Sequence, residues 1–373
     1  MDVKKIKLVL AIRSLNVGGA ERQFIELIKN IDKDKFDVYV CTMYGGVQEN
    51  IVNSIKNIKY FNLDKKGRYD IFKFYINYKK LLKIINPDVI YSFKEEMNIF
   101  SYFCKPQKTN SIWGFRASNM DLSQYGKLSQ LLFWLQKKFS SKVDMIVANS
   151  NASIIYHKNH GFDMSKSKVI PNGIDIDKFK KNNEDREIFR SEYKLKDSDI
   201  AIGIVARIDY MKGYIIFSKA VKKLMQEFDN IYIFSVGGGD EKIKKECEEI
   251  LGEFNNDRFK WLGNQSNVEK IYSGFDISSS SSFGEGFSNS IAEAMSCELP
   301  CVVTDVGDSA YIVDKYGIVV ESNNVESLYD GLKIMIQSDY KELGILSRKR
   351  VEENFSTENM VRKTENLVVD VLK

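Results

Sequence analysis

FDISSSSSFGEGFSNSIAEAM, residues 275–295, runs from a strand through a glycine-flanked turn into a helix. Phe275–Ser280 reads as a short buried strand. Gly284 and Gly286 permit a sharp turn. The helix begins near Ser288, with its hydroxyl as N-cap, and its first amides, at Asn289 and Ser290, suit a phosphate. Strand, glycine turn and helix in this order form the building block of a doubly wound parallel sheet, whose ligands bind past the carboxyl ends of the strands. Two acids flank the amides. Glu293 is placed to accept hydrogen bonds from a ribose diol, and Glu285 to reach the other end of a nucleotide-diphosphate ligand. The bland alternative is a plain turn followed by a helix with a surface glutamate.

The same alternation extends along the whole chain. Apolar runs at 6–12, 37–42, 58–63, 88–93, 111–115 and 144–148 form one series; those at 200–206, 231–236, 259–262, 275–280, 301–304 and 317–320 form a second. They are continuous rather than alternating, as in sheets buried on both faces, and helically periodic segments separate them. Ala20, Phe24, Leu27, Ile28 and Ile31, for instance, share one helix face. The expected fold is α/β, with two Rossmann-like doubly wound parallel-sheet domains facing across a cleft. The polar segment 172–190 marks the boundary, giving domains at 1–180 and 181–356. Residues 357–373 form a helix that packs back on the first domain through Met360, Leu367, Val368 and Leu372.

The 373 residues carry a net charge of +4, but unevenly. Residues 1–180 hold 30 Lys and Arg against 17 Asp and Glu, or +13, and the rest hold 25 against 34, or −9. A basic first half suits an anionic partner such as membrane headgroups or a phosphorylated substrate. Composition is that of a globular protein, and no apolar run reaches membrane-spanning length. The N-terminal apolar segment is short and interrupted by Lys7, so a first strand is expected rather than a signal peptide. Five cysteines without a CxxC pair point to reduced thiols and a cytoplasmic protein. His157 and His160 lack a third ligand, and the Asp-x-Asp pairs at 32/34, 175/177 and 197/199 sit in charged stretches, so no metal site is expected.

Two further motifs follow strand ends. NVGGAER (16–22) places Gly18 and Gly19 in a turn before a helix, although without the dinucleotide fingerprint. ARIDYMKG (206–213) supplies Arg207 and Lys212, a guanidinium fork and a point charge that could clamp a diphosphate and neutralise a leaving group.

With these residues in place, VIPNGIDIDKF (169–179), IGIVARIDYMKG (202–213), the stretch 261–307 and NFSTENMV (354–361) resemble the retaining nucleotide-sugar glycosyltransferases of family 4, which have the GT-B fold. The resemblance spans most of the chain and is specific in the second half. It implies that Glu293 binds the ribose, that Arg207 and Lys212 hold the diphosphate, and that Glu285 with Phe287, Ser288, Asn289 and Ser290 meets sugar and phosphate. Gly263 and Asn264 would lie at the base, and Gly18 and Gly19 would also belong to the donor site. No metal and no cofactor are implied, since the cations and helix amides supply positive charge. The acceptor-side histidine of many members is absent from SIWGFRASNMD, where Arg116 or Asn119 could do related work. Glu298 stands where the family often has glycine. The expected activity is transfer of a sugar, from a UDP-sugar in the first instance, to a lipid-linked or oligosaccharide acceptor of a cell-surface polysaccharide or glycolipid. The protein would contact anionic membrane at its inner face, and no nucleic acid. Another GT-B enzyme, such as a nucleotide-sugar epimerase or a phosphorylase, and a non-catalytic sugar-nucleotide-binding protein are the rivals. Turnover of the donor without an acceptor marks the epimerase, and donor binding without transfer marks the last.

Overall fold

The computed structural model describes residues 4–67, 70–116 and 126–373. The chain divides into two compact units, Met1–Gly173 with Thr357–Lys373, and Ile174–Ser356. In the first unit the described strands are β1 (Ile6–Ile12), β2 (Phe36–Thr42), β3 (Ile58–Asn62), β4 (Val89–Phe93), β5 (Asn110–Phe115), β6 (Met145–Ala148) and β7 (Ser167–Val169). They form one sheet in the order β3-β2-β1-β4-β5-β6-β7, with every neighbouring pair parallel. Strand β1 shows why its sequence is apolar throughout. Leu8, Leu10 and Ile12 pack with Phe24, Leu27 and Ile28 of the helix Gly19–Asn30 on one face. Val9 and Ala11 pack with Phe74, Tyr78 and Leu82 of the helix Ile71–Ile85 on the other. Each such fully buried aliphatic side chain contributes roughly 1.5–3 kcal/mol. The terminal helix Thr357–Asp370 buries Met360, Val361, Leu367 and Val368 in the first of these two cores. Leu372, expected on that face, lies past the helix end and is exposed.

The second unit holds β8 (Ile200–Val205), β9 (Ile231–Val236), β10 (Phe259–Gly263), β11 (Ile277–Ser280), β12 (Cys301–Thr304) and β13 (Ile318–Val320), ordered β10-β9-β8-β11-β12-β13 and parallel throughout. Ile202 and Ile204 pack against Phe217, Val221 and Leu224 of the helix Tyr214–Glu227. Ile291, Ala294 and Met295 of the helix Asn289–Ser296 lie in the core of the opposite face, with Ala201 and Phe275. In each sheet the order turns back once, between β1 and β4 and between β8 and β11. At such a point the loops after the two central strands diverge and leave a crevice.

Two local departures from the sequence reading have simple causes. Strand β7, Ser-Lys-Val, is three residues long and only partly buried, so it leaves no apolar run. Segment 172–190 contains the helix Asn183–Glu192, of which only Phe189 and Arg190 are buried. A helix that buries so little shows no apolar stripe. Arg190 helps to fix the second unit: with Arg186 it donates to the buried Asp276, at 3.1 and 2.7 Å, and the Ala201 amide donates to the same carboxylate at 2.8 Å. Removing that carboxylate leaves two guanidinium groups without their anion, so Asp276→Ala should cost about 3–5 kcal/mol in urea unfolding. A loss below about 1 kcal/mol would show that the network is incidental.

Candidate functional site

At the β8/β11 turning point of the second unit the two motif loops lie against each other. Residues Tyr210–Lys212 form a single 3-10 turn after β8, and Gly213, at φ +64°, opens the next helix. A Cβ on Gly213 would stand 2.0 Å from the Ser281 carbonyl oxygen, so only glycine lets the loops approach this closely. Three hydrogen bonds then join them: Phe283 N to Met211 O at 2.8 Å, Ser281 Oγ to Lys212 O at 2.8 Å, and Lys212 Nζ to Glu285 Oε1 at 2.5 Å. Ser282 Oγ donates to the same carboxylate oxygen at 2.7 Å. Glu285 therefore has a fixed orientation and a cation partner before any ligand arrives. The far side of its loop is supported by Asp308, whose amide donates to Gly286 O at 3.0 Å, and by Thr304, whose hydroxyl donates to Ser282 O at 2.7 Å.

Arg207 presents the opposite character. Its side chain is 82% exposed and, among the described residues, held by Asp209, 2.9 Å away, a pair of the kind that contributes little in water. It is thus available to an incoming anion. The other Asp209 oxygen is buried and has no hydrogen-bond partner among the described residues. Glu293 is buried in the helix Asn289–Ser296. Ser288 occupies the N-cap position as expected, but its hydroxyl does not cap the helix; it lies 3.3 Å from Ser290 Oγ. Asn289 and Ser290 are half-buried. Phe287 was expected at the donor. Its ring is buried and packs edge-on against Phe355 at 5.3 Å, which leaves its backbone as the part able to face a ligand.

The structure adds a third loop that the sequence reading passed over, the glycine run 237–239 after β9. Gly237 adopts φ +130°, and a Cβ there would meet the Ala206 carbonyl oxygen at 2.1 Å. Ile208 N donates to Gly238 O at 3.0 Å, and Gly237 N to Gly263 O at 2.8 Å. Asn264 Oδ1 accepts from Gly238 N at 2.8 Å. The run therefore joins the Arg207 loop to Gly263 and Asn264. Its signal in the sequence is three glycines straight after a strand.

In the first unit Gly18 is the extended residue that precedes the helix Gly19–Asn30, at the end of the connection that follows β1. Arg116, at the end of β5, donates to Tyr91 Oη at 2.9 Å and Asn172 Oδ1 at 3.3 Å and stacks on Phe93 at 4.4 Å. Asn119 lies outside the described residues.

The family model described as "Glycosyl transferases group 1" matches residues 185–355, and that described as "Glycosyltransferase Family 4" matches residues 17–178. The chain belongs to the group 1 glycosyltransferases. The N-acetylgalactosamine-N,N'-diacetylbacillosaminyl-diphospho-undecaprenol 4-alpha-N-acetylgalactosaminyltransferase of Campylobacter jejuni is 25% identical, over 89% of this chain and 91% of the relative. The UDP-Gal:alpha-D-GlcNAc-diphosphoundecaprenol alpha-1,3-galactosyltransferase of Escherichia coli is 23% identical over 95% of each. Among solved structures, HepE of Anabaena in complex with UDP superposes with a TM-score of 0.83 at 18% identity, covering 98% of this chain and 100% of that one. This glycosyltransferase has the GT-B fold, with two doubly wound parallel sheets.

Two groups flagged in the sequence have structural roles. His157 is buried among Phe115, Phe133 and Phe162, with Nδ1 2.7 Å from Ser153 O; among the described residues no acidic, histidine or cysteine group gathers as a metal site. The carboxylates Asp32 and Asp175 accept amide hydrogens within their own turns. Burial pushes the His157 imidazole down to about 4 from 6.5. The folded state therefore keeps it neutral while the unfolded chain takes up a proton below about pH 6.5. Stability present at pH 7 is lost as pH falls from 6.5 towards 4, by up to about 3 kcal/mol. Urea unfolding at pH 7 and pH 4.5 should show a smaller pH-dependent loss for His157→Phe than for wild type; equal losses would contradict this.

Proposed function

We propose that this glycosyltransferase is a retaining enzyme that transfers a sugar from a UDP-sugar to a lipid-diphosphate-linked acceptor in cell-surface polysaccharide or glycolipid synthesis. The observation that carries the reading is the Lys212–Glu285 pair, which sets a cation and a carboxylate at the β8/β11 turning point beside the exposed Arg207. The undecaprenol-diphosphate acceptors named for the Campylobacter and Escherichia relatives, and the UDP bound by HepE, support the choice of substrates.

In this mechanism Glu293 accepts hydrogen bonds from the ribose, and Gly263 and Asn264 border the base. The diphosphate meets Arg207, Lys212 and the amide end of the helix at Asn289 and Ser290. A diphosphate attracts Lys212 away from an exclusive bond with Glu285, and the freed carboxylate oxygen accepts from a sugar hydroxyl. The bond between the anomeric carbon and the diphosphate oxygen breaks while the acceptor oxygen bonds to the same face of that carbon. The acceptor proton passes to a donor phosphate oxygen. Arg207 and Lys212 stabilise the charge that develops on the leaving diphosphate, so the reaction as proposed requires neither a divalent ion nor a cofactor.

The acceptor's lipid places the enzyme against a membrane, and we assign it to the cytoplasmic face. No helix among the described residues is long and apolar enough to cross a bilayer. The helices Ile71–Ile85 and Lys127–Phe139 of the basic first unit expose Phe72, Ile76, Leu131 and Trp134. Lysines 73, 79, 80 and 138 lie on the same helices, a pairing of aromatic and basic groups suited to an anionic lipid surface.

Arg207→Ala, Lys212→Ala and Glu293→Ala should each lower transfer from UDP-sugars at least about 100-fold, with unchanged melting temperature for the exposed Arg207, and EDTA should leave wild-type transfer intact. Wild-type rates in the variants, or abolition by EDTA, would contradict the mechanism, and an inverted anomer by NMR of the product would exclude retention. Phe72→Glu combined with Trp134→Glu should reduce flotation with vesicles containing phosphatidylglycerol; equal flotation with neutral vesicles would remove the membrane assignment.

A further inference from the structure

Arg207 and Lys212 lie in the same loop, yet their carboxylate partners are built in opposite ways. Glu285 is well supported, since its Oε1 accepts from both Lys212 Nζ and Ser282 Oγ. Asp276, elsewhere in the second unit, accepts from two guanidinium groups and an amide. Asp209 is left short of donors. Its Oδ2 accepts from Arg207 Nη2 at 2.9 Å. Its Oδ1 is buried and, among the described residues, accepts no hydrogen bond.

A carboxylate that orients an arginine firmly meets the planar fork with both oxygens. Asp209 gives Arg207 one oxygen and turns the other into the protein, where an acceptor without a donor costs free energy. The loop itself is fixed by main-chain bonds. Lys212 N donates to Asp209 O and Gly213 N to Tyr210 O, each at 3.1 Å, and Asp240 N donates to Ile208 O at 2.7 Å. The Asp209 carboxylate therefore neither builds the loop nor clamps the guanidinium, which stays 82% exposed. What it does do is hold a negative charge within reach of the cation that a diphosphate needs.

The consequence differs between donor and product. When the bond from the anomeric carbon to the diphosphate breaks, its electron pair stays on the phosphate oxygen. The proton taken up from the acceptor is lost to water at neutral pH, because the second ionisation of a terminal phosphate lies near pH 6. The product diphosphate thus carries about one more negative charge than the nucleotide sugar. Arg207 turned towards the diphosphate leaves Asp209 without its partner and beside that larger charge, and the repulsion grows in proportion. We infer that Asp209 is a positioning residue for product release: it competes with the diphosphate for Arg207 and weakens the hold on the product nucleotide more than the hold on the donor. The inference rests on the glycosyltransferase reading above and adds how the site tells its product from its substrate.

The test is calorimetric binding to the full chain, without acceptor. The ligands are UDP and whichever of UDP-glucose, UDP-galactose, UDP-N-acetylglucosamine and UDP-N-acetylgalactosamine binds wild type most tightly. Asp209→Asn should tighten UDP about tenfold and the UDP-sugar by less than about threefold. Loss of a structural carboxylate would do the reverse, so weaker or unchanged UDP binding would overturn the inference. Equal tightening of both ligands would overturn it too, since Asp209 would then repel any diphosphate alike. In the Arg207→Ala background the same substitution should shift UDP affinity by less than about threefold. A full tenfold shift there would show that Asp209 acts without Arg207, against the competition. Asp209→Ala should shift UDP in the same direction, and it keeps the test available if the buried amide of Asp209→Asn lowers the melting temperature. Failure of the wild-type chain to bind UDP or any of the four UDP-sugars would instead sink the donor reading itself, and the inference with it.

Discussion

The organisation of the second unit depends on how closely the loops after β8 and β11 can approach each other. Gly213 has no side chain to hold them apart, and Lys212 bonds to Glu285 across the junction. Because the β11 loop leads directly into the helix Asn289–Ser296, the same contact fixes where that helix begins and where Glu293 falls. A salt bridge of this kind, partly buried and supported by Ser282, is poor evidence for stability, since desolvation opposes the attraction. Its use is positional: it holds a carboxylate and an ammonium in a set orientation that a diphosphate can then reorganise.

Much of the fold was legible because parallel sheets covered on both faces demand apolar strands. Leu8 to Ile12 must serve two cores at once, and a run without polar breaks betrays that. What escaped had little to bury. Strand β7 is short and lies at the sheet edge, and the helix Asn183–Glu192 shows almost no apolar face. One of the two departures from the family pattern, Glu298 in place of glycine, also has a physical reading. Glu298 adopts φ +61° at the end of the helix Asn289–Ser296, a conformation that glycine enters freely and a glutamate enters at a cost of roughly 1 kcal/mol or more.

The site was legible where its chemistry is written as charged or glycine-flanked motifs after strands. The partnership of Lys212 with Glu285 was not, because 73 residues separate them and only the sheet order brings their loops side by side. Phe287 shows a second limit: a residue inside a functional motif can also serve packing, and its ring turns inward onto Phe355. The glycine run 237–239 serves backbone approach alone. Sequence spacing cannot tell which loop such a run will meet.

The second unit gathers the cations Arg207 and Lys212 at the turning point of its sheet order, which suits the anionic donor of the proposed function. The most direct test is amide hydrogen exchange with and without UDP, in EDTA. The account predicts slowed exchange in segments 206–213, 237–240 and 283–293. Protection confined to the first unit, or none in these three segments at saturating UDP, would contradict it.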